Sequence, residues 1–394
     1  MPGPRKCFLT IKSLQHLDPR LLCAVLQKFP DVLRAHKIRL PSQPDLSNLD
    51  YPALQALCLG GDLPVELDDV LAYVNILGTT PGWERIQQEA RAQGRRLDFP
   101  TAGLTHADLV MQAWLHDWPN NRTLPEESYM RVLIHARSSY VYFPAARDVR
   151  AHYRTPTAAV MQTLQEEISA YFIAEQLGKG AHVVMFDFEQ EVWFLIRYPG
   201  QLKRHMEFNA EGTTGSRTYK PEEYDAVIYH KHYGDLRVNT NRARNRVKYR
   251  ILFGHALLKS ANVFVQHAHV ITLEPLKGRC LELFNCADIP GLAEISPIEV
   301  TFHELQSPGR EIVWRAEPGS SLLLSNRLAP LLLPDTTDTI HRAIFRYRLR
   351  DRQKTETLTV HQGSTMTYER DGDSAVLEEW LRLRKFVKHQ LTGE

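Results

Sequence analysis

Two spacings of hydrophobic residues divide the chain. Up to about residue 155, apolar positions recur every three or four residues in short runs that proline or glycine interrupts. This spacing puts apolar side chains on one face of a helix. From residue 182 onward, apolar and polar positions alternate, which is typical of strands. The pattern predicts an α+β protein with a helical N-terminal region and a strand-rich remainder.

Residues that start and end helices place the bounds of the predicted helices. Asp18 and Pro19 suit the N-cap and first helical positions, and Thr105 with Asp108 has the spacing of a capping box. Prolines and arginines between residues 140 and 160 break the periodicity, so we predict domains at 1–155 and 156–394. The predicted helices span 21–29, 52–59, 67–77, 83–93, 105–117, 125–136 and 157–177.

The second region is expected to form a mostly antiparallel sheet, because its strands do not alternate with helices. An amphipathic helix at 374–389 follows the strands, with Leu377, Trp380 and Leu381 facing inward. The predicted strands span 182–188, 192–198, 224–229, 236–238, 270–273, 280–284, 298–304, 311–315, 340–349 and 357–360.

Composition places the chain among ordinary globular proteins. Hydrophobic residues make up 43 % and charged residues 24 %, values that allow a core. The formal net charge of +2 is too small to predict a polyanionic partner, so that argument depends on local clusters. The five cysteines form no CxxC pair, which favours a reducing, cytoplasmic location. No apolar run approaches the roughly 18 residues of a membrane span, so no membrane contact or secretory signal is expected.

A basic run is the clearest candidate site. The segment 237–250 contains six basic residues and no acidic one. On a helix, positions 242, 246 and 250 form one stripe suited to the phosphate backbone of a nucleic acid. On a strand, the alternate residues from 242 to 250 would share a face. The alternative is a solvated surface with internal salt bridges. The candidate residues are Arg237, Arg242, Arg244, Arg246, Lys248 and Arg250.

A second basic cluster lies on the predicted strand 340–349. Arg346, Arg348 and Arg350 alternate there with apolar residues and so share one face. Such a face needs a negatively charged cover, which is either nucleic acid or acidic residues of a neighbouring segment, such as Glu356 or Glu369. Both basic clusters predict DNA or RNA as a partner.

A metal site is the weaker candidate. Paired histidines with a nearby carboxylate are what zinc or manganese requires, but such spacing also fits partly exposed strand histidines. No nucleotide-binding or metalloprotease motif is present, so no cofactor is expected. The residues concerned are His230, His232, His267, His269, Asp187, Asp225 and Asp235.

The segment 221–276 resembles part of a group of uncharacterised bacterial proteins. It contains a strand at 224–229, a GxLR turn at 234–237 and a YRxxFG helix at 249–254. The resemblance covers about one seventh of the chain. It implies a bacterial protein from a mobile-element or anti-phage setting.

Three functions remain open from the sequence. The first is a nucleic-acid-binding accessory protein, as part of a bacterial anti-phage system. The second is a metal-dependent nuclease or phosphodiesterase. The third is a protein-interaction subunit that binds a partner protein through the N-terminal helical region, where Trp83, Trp114 and Trp118 are either interface or core residues.

Overall fold

Two compact units make up the chain in a computed structural model: Met1–Leu133 and Ile134–Glu394. The division falls ahead of the predicted boundary at residue 155, because a strand of the second unit begins at Ser139. The structure describes residues 6–59, 63–118, 123–146, 149–208, 214–265, 270–277, 280–303, 311–317, 339–350, 353–368 and 374–388.

The first unit is helical, as predicted. Asp18 caps α2, and its side chain accepts hydrogen bonds from the first backbone N–H groups of that helix. Thr105 and Asp108 form the predicted capping box on α7. The helices are α1 Ile11–Gln15, α2 Pro19–Leu26, α3 Pro30–Ala35, α4 Tyr51–Leu59, α5 Val65–Leu77, α6 Thr80–Ala92, α7 His106–Asp117 and α8 Leu124–His135, which ends in the second unit.

The second unit is built on a sheet of ten described strands. Every strand pair in it is antiparallel, in the order β2-β3-β6-β7-β1-β12-β11-β10-β8-β9. Two further strands, β4 and β5, pair with each other. The predicted α+β class is therefore confirmed. The strands are β1 Ser139–Phe143, β2 His182–Asp187, β3 Glu191–Pro199, β4 Lys203–Phe208, β5 Thr214–Tyr219, β6 Glu222–His230, β7 Asp235–Asn239, β8 Leu292–His303, β9 Glu311–Arg315, β10 Thr339–Leu349, β11 Glu356–His361 and β12 Thr365–Thr367.

Helices cover both faces of this sheet. On one face, alternate residues of β3, β6, β7 and β1 pack with α9 Ala158–Ala174 and α10 Ala243–Leu258 in one hydrophobic cluster. The intervening residues point to the opposite face. There α12 Ser374–Leu383 contributes Trp380, whose ring contacts Phe345 of β10. The C-terminal helix is thus confirmed.

One predicted strand is wrong. The segment 280–284 forms a short helix, α11 Cys280–Leu283, because a five-residue apolar alternation does not distinguish a strand from a single helical turn. The predicted strand 270–273 is reduced to isolated bridges, in which Ile271 pairs with Gly363 and Val387. Among the described residues, no helix has the length and apolar character needed to cross a membrane.

Candidate functional site

Arg237 lies inside the protein and not on a nucleic-acid surface, which corrects the sequence prediction. Its side chain is 0 % exposed. The guanidinium donates to both carboxylate oxygens of Glu378, at 2.6 and 2.7 Å. It also donates to Glu191 at 2.8 Å and to Asp235 at 3.2 Å. Arg237 therefore cannot contact a phosphate, because three carboxylates surround it.

The sheet register explains how these residues meet. Arg237 lies opposite Ile228, and His230 lies opposite both Glu191 and Asp235, so the side chains share the face that α12 covers. The Tyr142 ring lies 5.0 Å from the Arg237 guanidinium.

The helix α12 completes this charge network with two residues one turn apart. Glu378 also accepts a hydrogen bond from Tyr368 at 2.6 Å. Arg382 donates to Asp235 at 2.8 Å, and its guanidinium lies 3.2 Å from the centre of the Tyr233 ring. Sequence reasoning missed both helix residues. The sequence does contain a sign of them: Glu378 and Arg382 each follow an inward-facing leucine, Leu377 and Leu381, and their spacing of four places both on one side of the helix.

Burial and charge set the protonation of this network. Burial alone would raise the pKa of Asp235, but Arg237 and Arg382 hold it below its usual value. Burial, reinforced by Arg237, lowers the pKa of His230 to about 3. The neutral imidazole accepts a hydrogen bond from the Tyr233 backbone N–H at 3.3 Å. At neutral pH, His230 is therefore an uncharged acceptor.

Three members of the network have the ligand types of a metal site. Glu191, His230 and Glu378 present ligand atoms within 4.8 Å of one another. However, Arg237 donates to both oxygens of Glu378 and to Glu191. A guanidinium thus already supplies the positive charge that the carboxylates require, and we assign the group to structural ion pairing.

Asp225 belongs to a different cluster, which separates the predicted metal ligands. It lies on the α10 face of β6, five residues from His230 on the opposite face. Its carboxylate accepts hydrogen bonds from Asn245 at 2.9 Å and Tyr249 at 2.8 Å. Burial raises the pKa of Asp225, and these donors oppose the shift. Asp225 and His230 therefore cannot bind one metal ion together.

Of the other predicted ligands, Asp187 and His232 lie outside both clusters. Asp187 lies 2.5 Å from the Lys231 ammonium and accepts a hydrogen bond from Thr155 at 3.0 Å. His232 is exposed. His267 and His269 lie outside the described residues, as does Glu369. The described residues thus do not assemble the predicted nuclease centre.

The basic run after Arg237 forms the start of α10. Of the two arrangements considered for this run, a helix and a strand, the structure has the helix. Arg242 is the N-cap residue, and its backbone N–H donates to Thr240 Oγ1 at 3.2 Å. Arg246 donates to the Thr240 carbonyl at 3.3 Å, and Arg250 donates to the Phe264 carbonyl. Arg246 and Arg250 therefore turn toward their own chain, which corrects the predicted phosphate-binding stripe.

The exposed charge of this run lies on Arg244, whereas Arg242 and Lys248 are half-buried. The Arg244 side chain is 84 % exposed, and its nearest carboxylate, on Glu175, is 3.5 Å away. The Arg242 guanidinium lies 3.5 Å from the Glu223 carboxylate. The Lys248 ammonium lies 5.7 Å from the centre of the Tyr171 ring. Arg242 and Arg244 are thus the members best placed to meet an anion.

Two arginines of the second basic cluster bond to the neighbouring strand β8, and for Arg348 this favours the alternative of an acidic neighbour. Arg348 pairs with Glu294 of β8 at 3.3 Å, and the Arg350 side chain donates to the Leu292 carbonyl at 3.2 Å. Arg346 lies opposite Ser296 of β8 and is half-buried. The acidic neighbour was expected on a segment such as Glu356 or Glu369. For Arg348 it is Glu294, because β8 is a strand next to β10, and Glu369 lies outside the described residues.

Tryptophans of the first unit divide between core and surface. Trp83 and Trp114 are buried in the helical core. Trp118 is 36 % exposed, and its ring centre lies 4.7 Å from that of Trp114. Two of the three aromatic residues considered for a partner interface are therefore core residues.

No protein-family model matches this chain, and comparison with curated proteins gives no match.

Proposed function

We propose that the second unit binds nucleic acid through the first turn of α10, with little preference for sequence. The observation that carries this proposal is the exposed Arg244 beside Arg242, at the N-terminus of a 16-residue helix. The N-terminal end of a helix has a partial positive charge and backbone N–H groups that no helical carbonyl accepts. Two arginines at that end provide the charge that a phosphate backbone requires.

Existing ion pairs do not prevent this binding. Arg244 and Arg242 each approach a carboxylate at 3.5 Å, and the Arg244 pair is largely exposed to solvent. An exposed pair of this kind contributes about 0–1 kcal/mol, so exchanging the Arg244 pair for a phosphate costs little. Phosphate contacts do not read bases, which supports sequence-tolerant binding.

Fluorescence anisotropy with labelled DNA and RNA at several salt concentrations tests the proposal. The test variant changes Arg242→Gln and Arg244→Gln together. We expect affinity to fall as salt rises, with a slope smaller in the variant by about 1 for each phosphate contact removed. Binding that ignores salt, or a variant with the slope of the wild type, contradicts the proposal.

A matched control removes the same charge elsewhere. Arg20→Gln with Arg34→Gln changes two arginines of the first unit whose side chains are 76 % and 78 % exposed. This control should keep the wild-type dependence of affinity on salt. If the control loses as much of that dependence as the test variant, the effect comes from the net charge of the protein and not from Arg242 and Arg244. Arg348→Gln tests the second cluster by itself, and we expect wild-type binding because Arg348 lies on β10, outside the proposed site at the start of α10.

The proposed setting is an accessory role in bacterial anti-phage defence, supported by the resemblance of residues 221–276 to bacterial proteins. Its test is the plating efficiency of phage on cells that express the wild type or the Arg242→Gln, Arg244→Gln variant. Protection by the wild type and its loss in the variant are expected. Equal plating on both strains contradicts the role.

A further inference from the structure

The strands β4 and β5 form a two-stranded ribbon that extends the β3–β6 pair. Pro199 lies opposite Glu222 in the main sheet, and Lys203 then lies opposite Tyr219 in the ribbon. Within the described part of the chain, neither β4 nor β5 pairs with a third strand. Both outer edges of the ribbon therefore carry backbone groups outside any strand pairing.

Side chains on both faces of this ribbon meet solvent. Among those described in β4 and β5, all are exposed apart from the half-buried Gly215. The exposed residues include Met206 at 55 % and Tyr219 at 40 %, with Leu202 just before β4 at 64 %. Isolated two-stranded ribbons are marginally stable in water, so this segment gains little from packing on its own unit. The described side chains of the ribbon are therefore open to a ligand.

The base of the ribbon is fixed. The Gly200 backbone N–H donates to the Pro221 carbonyl at 2.6 Å, and the Lys220 ammonium donates to the Leu177 carbonyl at 2.5 Å. A Cβ atom at Gly200 would lie 2.6 Å from the Glu223 carboxylate, so glycine allows the strands to approach there. Glu223 also neighbours Arg242, which places the ribbon base beside the start of α10.

Charge identifies the kind of partner. The segment 202–220 contains four basic residues, Lys203, Arg204, Arg217 and Lys220, and two acidic residues, Glu207 and Glu211, so its net charge is +2. The Lys220 ammonium already donates to the Leu177 carbonyl, which leaves Lys203 and Arg204 as the exposed cations of β4. Lys203 and Arg204 are adjacent on β4 and so project to opposite faces. A polyanion that surrounds the ribbon on both faces would meet positive charge on each side.

We propose that the ribbon enters the major groove of a DNA duplex while the first turn of α10 contacts the phosphates beside it. This proposal rests on the nucleic-acid binding proposed above and adds the form of the ligand. The major groove of B-DNA is about 12 Å wide and admits a two-stranded ribbon. Six residues of β4 extend about 20 Å, enough to follow the groove past several base pairs. The deep, narrow major groove of duplex RNA excludes such a ribbon.

Anisotropy with three probes of one sequence tests this proposal: a 24-base-pair DNA duplex, the matching RNA duplex and single-stranded DNA. The wild type should bind the DNA duplex about tenfold more tightly than either other probe. The Lys203→Gln, Arg204→Gln variant should lose that preference and keep its weaker binding to single strands. Lys28→Gln with Arg34→Gln, both exposed in the first unit, is the matched control and should behave as the wild type.

Groove blocking adds a second readout. A duplex with glucosylated 5-hydroxymethylcytosine carries bulky groups in the major groove, so the wild type should bind it about tenfold more weakly than the plain duplex. The ribbon variant, Lys203→Gln with Arg204→Gln, should show a loss of the same size on the plain duplex. Netropsin, which fills the minor groove, should leave binding unchanged. Competition by netropsin together with tolerance of the glucosylated duplex overturns the proposal.

The outcomes separate the two proposals. A wild type that binds none of the probes overturns both. A wild type that binds all three probes equally, with an unaffected Lys203→Gln, Arg204→Gln variant, overturns the ribbon proposal and leaves binding through α10 intact. A second copy of the chain could also pair with the ribbon edges, and analytical sedimentation without DNA tests for such a dimer. A dimer that the ribbon variant abolishes would make the ribbon a self-association element and would also overturn the proposal.

Discussion

Replacing Arg237 with methionine should destabilise the second unit strongly. The variant Arg237→Met keeps an apolar side chain of similar length but leaves Glu378, Glu191 and Asp235 without the guanidinium that they share. Removing one partner of a buried ion pair costs about 3–5 kcal/mol, because the remaining charge stays buried and uncompensated. Arg382 still pairs with Asp235, so we expect a loss of stability within that range.

A double-mutant cycle separates pairing from packing. Glu378→Met alone removes the partner that accepts two hydrogen bonds from Arg237, and should also destabilise the protein. The variant with both methionines removes the two charges together, so part of the loss should be recovered. The coupling energy between the two substitutions then measures their interaction.

The assay must report on the second unit, because two compact units need not unfold together. Hydrogen exchange of peptides from β7 and α12, combined with urea titration, meets this need. Arg348→Met is the control, since its pair with Glu294 is partly exposed and should contribute less than about 1 kcal/mol. If Arg237→Met loses no more stability than this control, the network does not stabilise the fold and the reasoning is wrong.

Two further predictions concern the same unit. Between the pKa of about 3 for folded His230 and the ~6.5 of an unfolded histidine, acid protonates the unfolded state alone, so stability falls as pH falls. His230→Gln should reduce the slope of the unfolding free energy against pH by up to about 1.4 kcal/mol per pH unit. Urea unfolding from pH 7 to pH 4.5 measures this slope for both proteins, and parallel curves for the variant and the wild type would refute the prediction. Tyr249→Phe removes a donor from the buried Asp225 and should cost about 1–3 kcal/mol by urea unfolding. Tyr171→Phe, at a half-buried hydroxyl, should cost less, and equal losses would contradict the argument.

Local signals in the sequence were sufficient for many of the helices and strands, but not for all of them. The capping box of Thr105 and Asp108 gave the start of α7, because its hydrogen bonds join residues three apart. The strand β1 was missed. Its five residues lie in a stretch that prolines and arginines interrupt, and its pairing partners, β7 and β12, follow far along the chain. Local periodicity contains no information about such distant pairing.

The same limit explains the error at Arg237. In the sequence it belongs to one basic run with Arg242 and Arg244, and charge runs usually lie on the surface. What buries it is Glu378, 141 residues away. The separation of Asp225 from His230 was readable in principle, since an odd spacing on one strand places two side chains on opposite faces.

The late position of α12 in the chain has a consequence for synthesis. A ribosome adds residues at about 5–20 per second, so β7 emerges well before Glu378 and Arg382 exist. During that interval Arg237 can pair only with Glu191 and Asp235, and the face of the sheet around it is not yet covered by α12. Nascent chains that stall before residue 374 would expose unfinished strands to chaperones and proteases. The second unit therefore completes its folding after α12 has been translated, whatever the order in which its strands first meet.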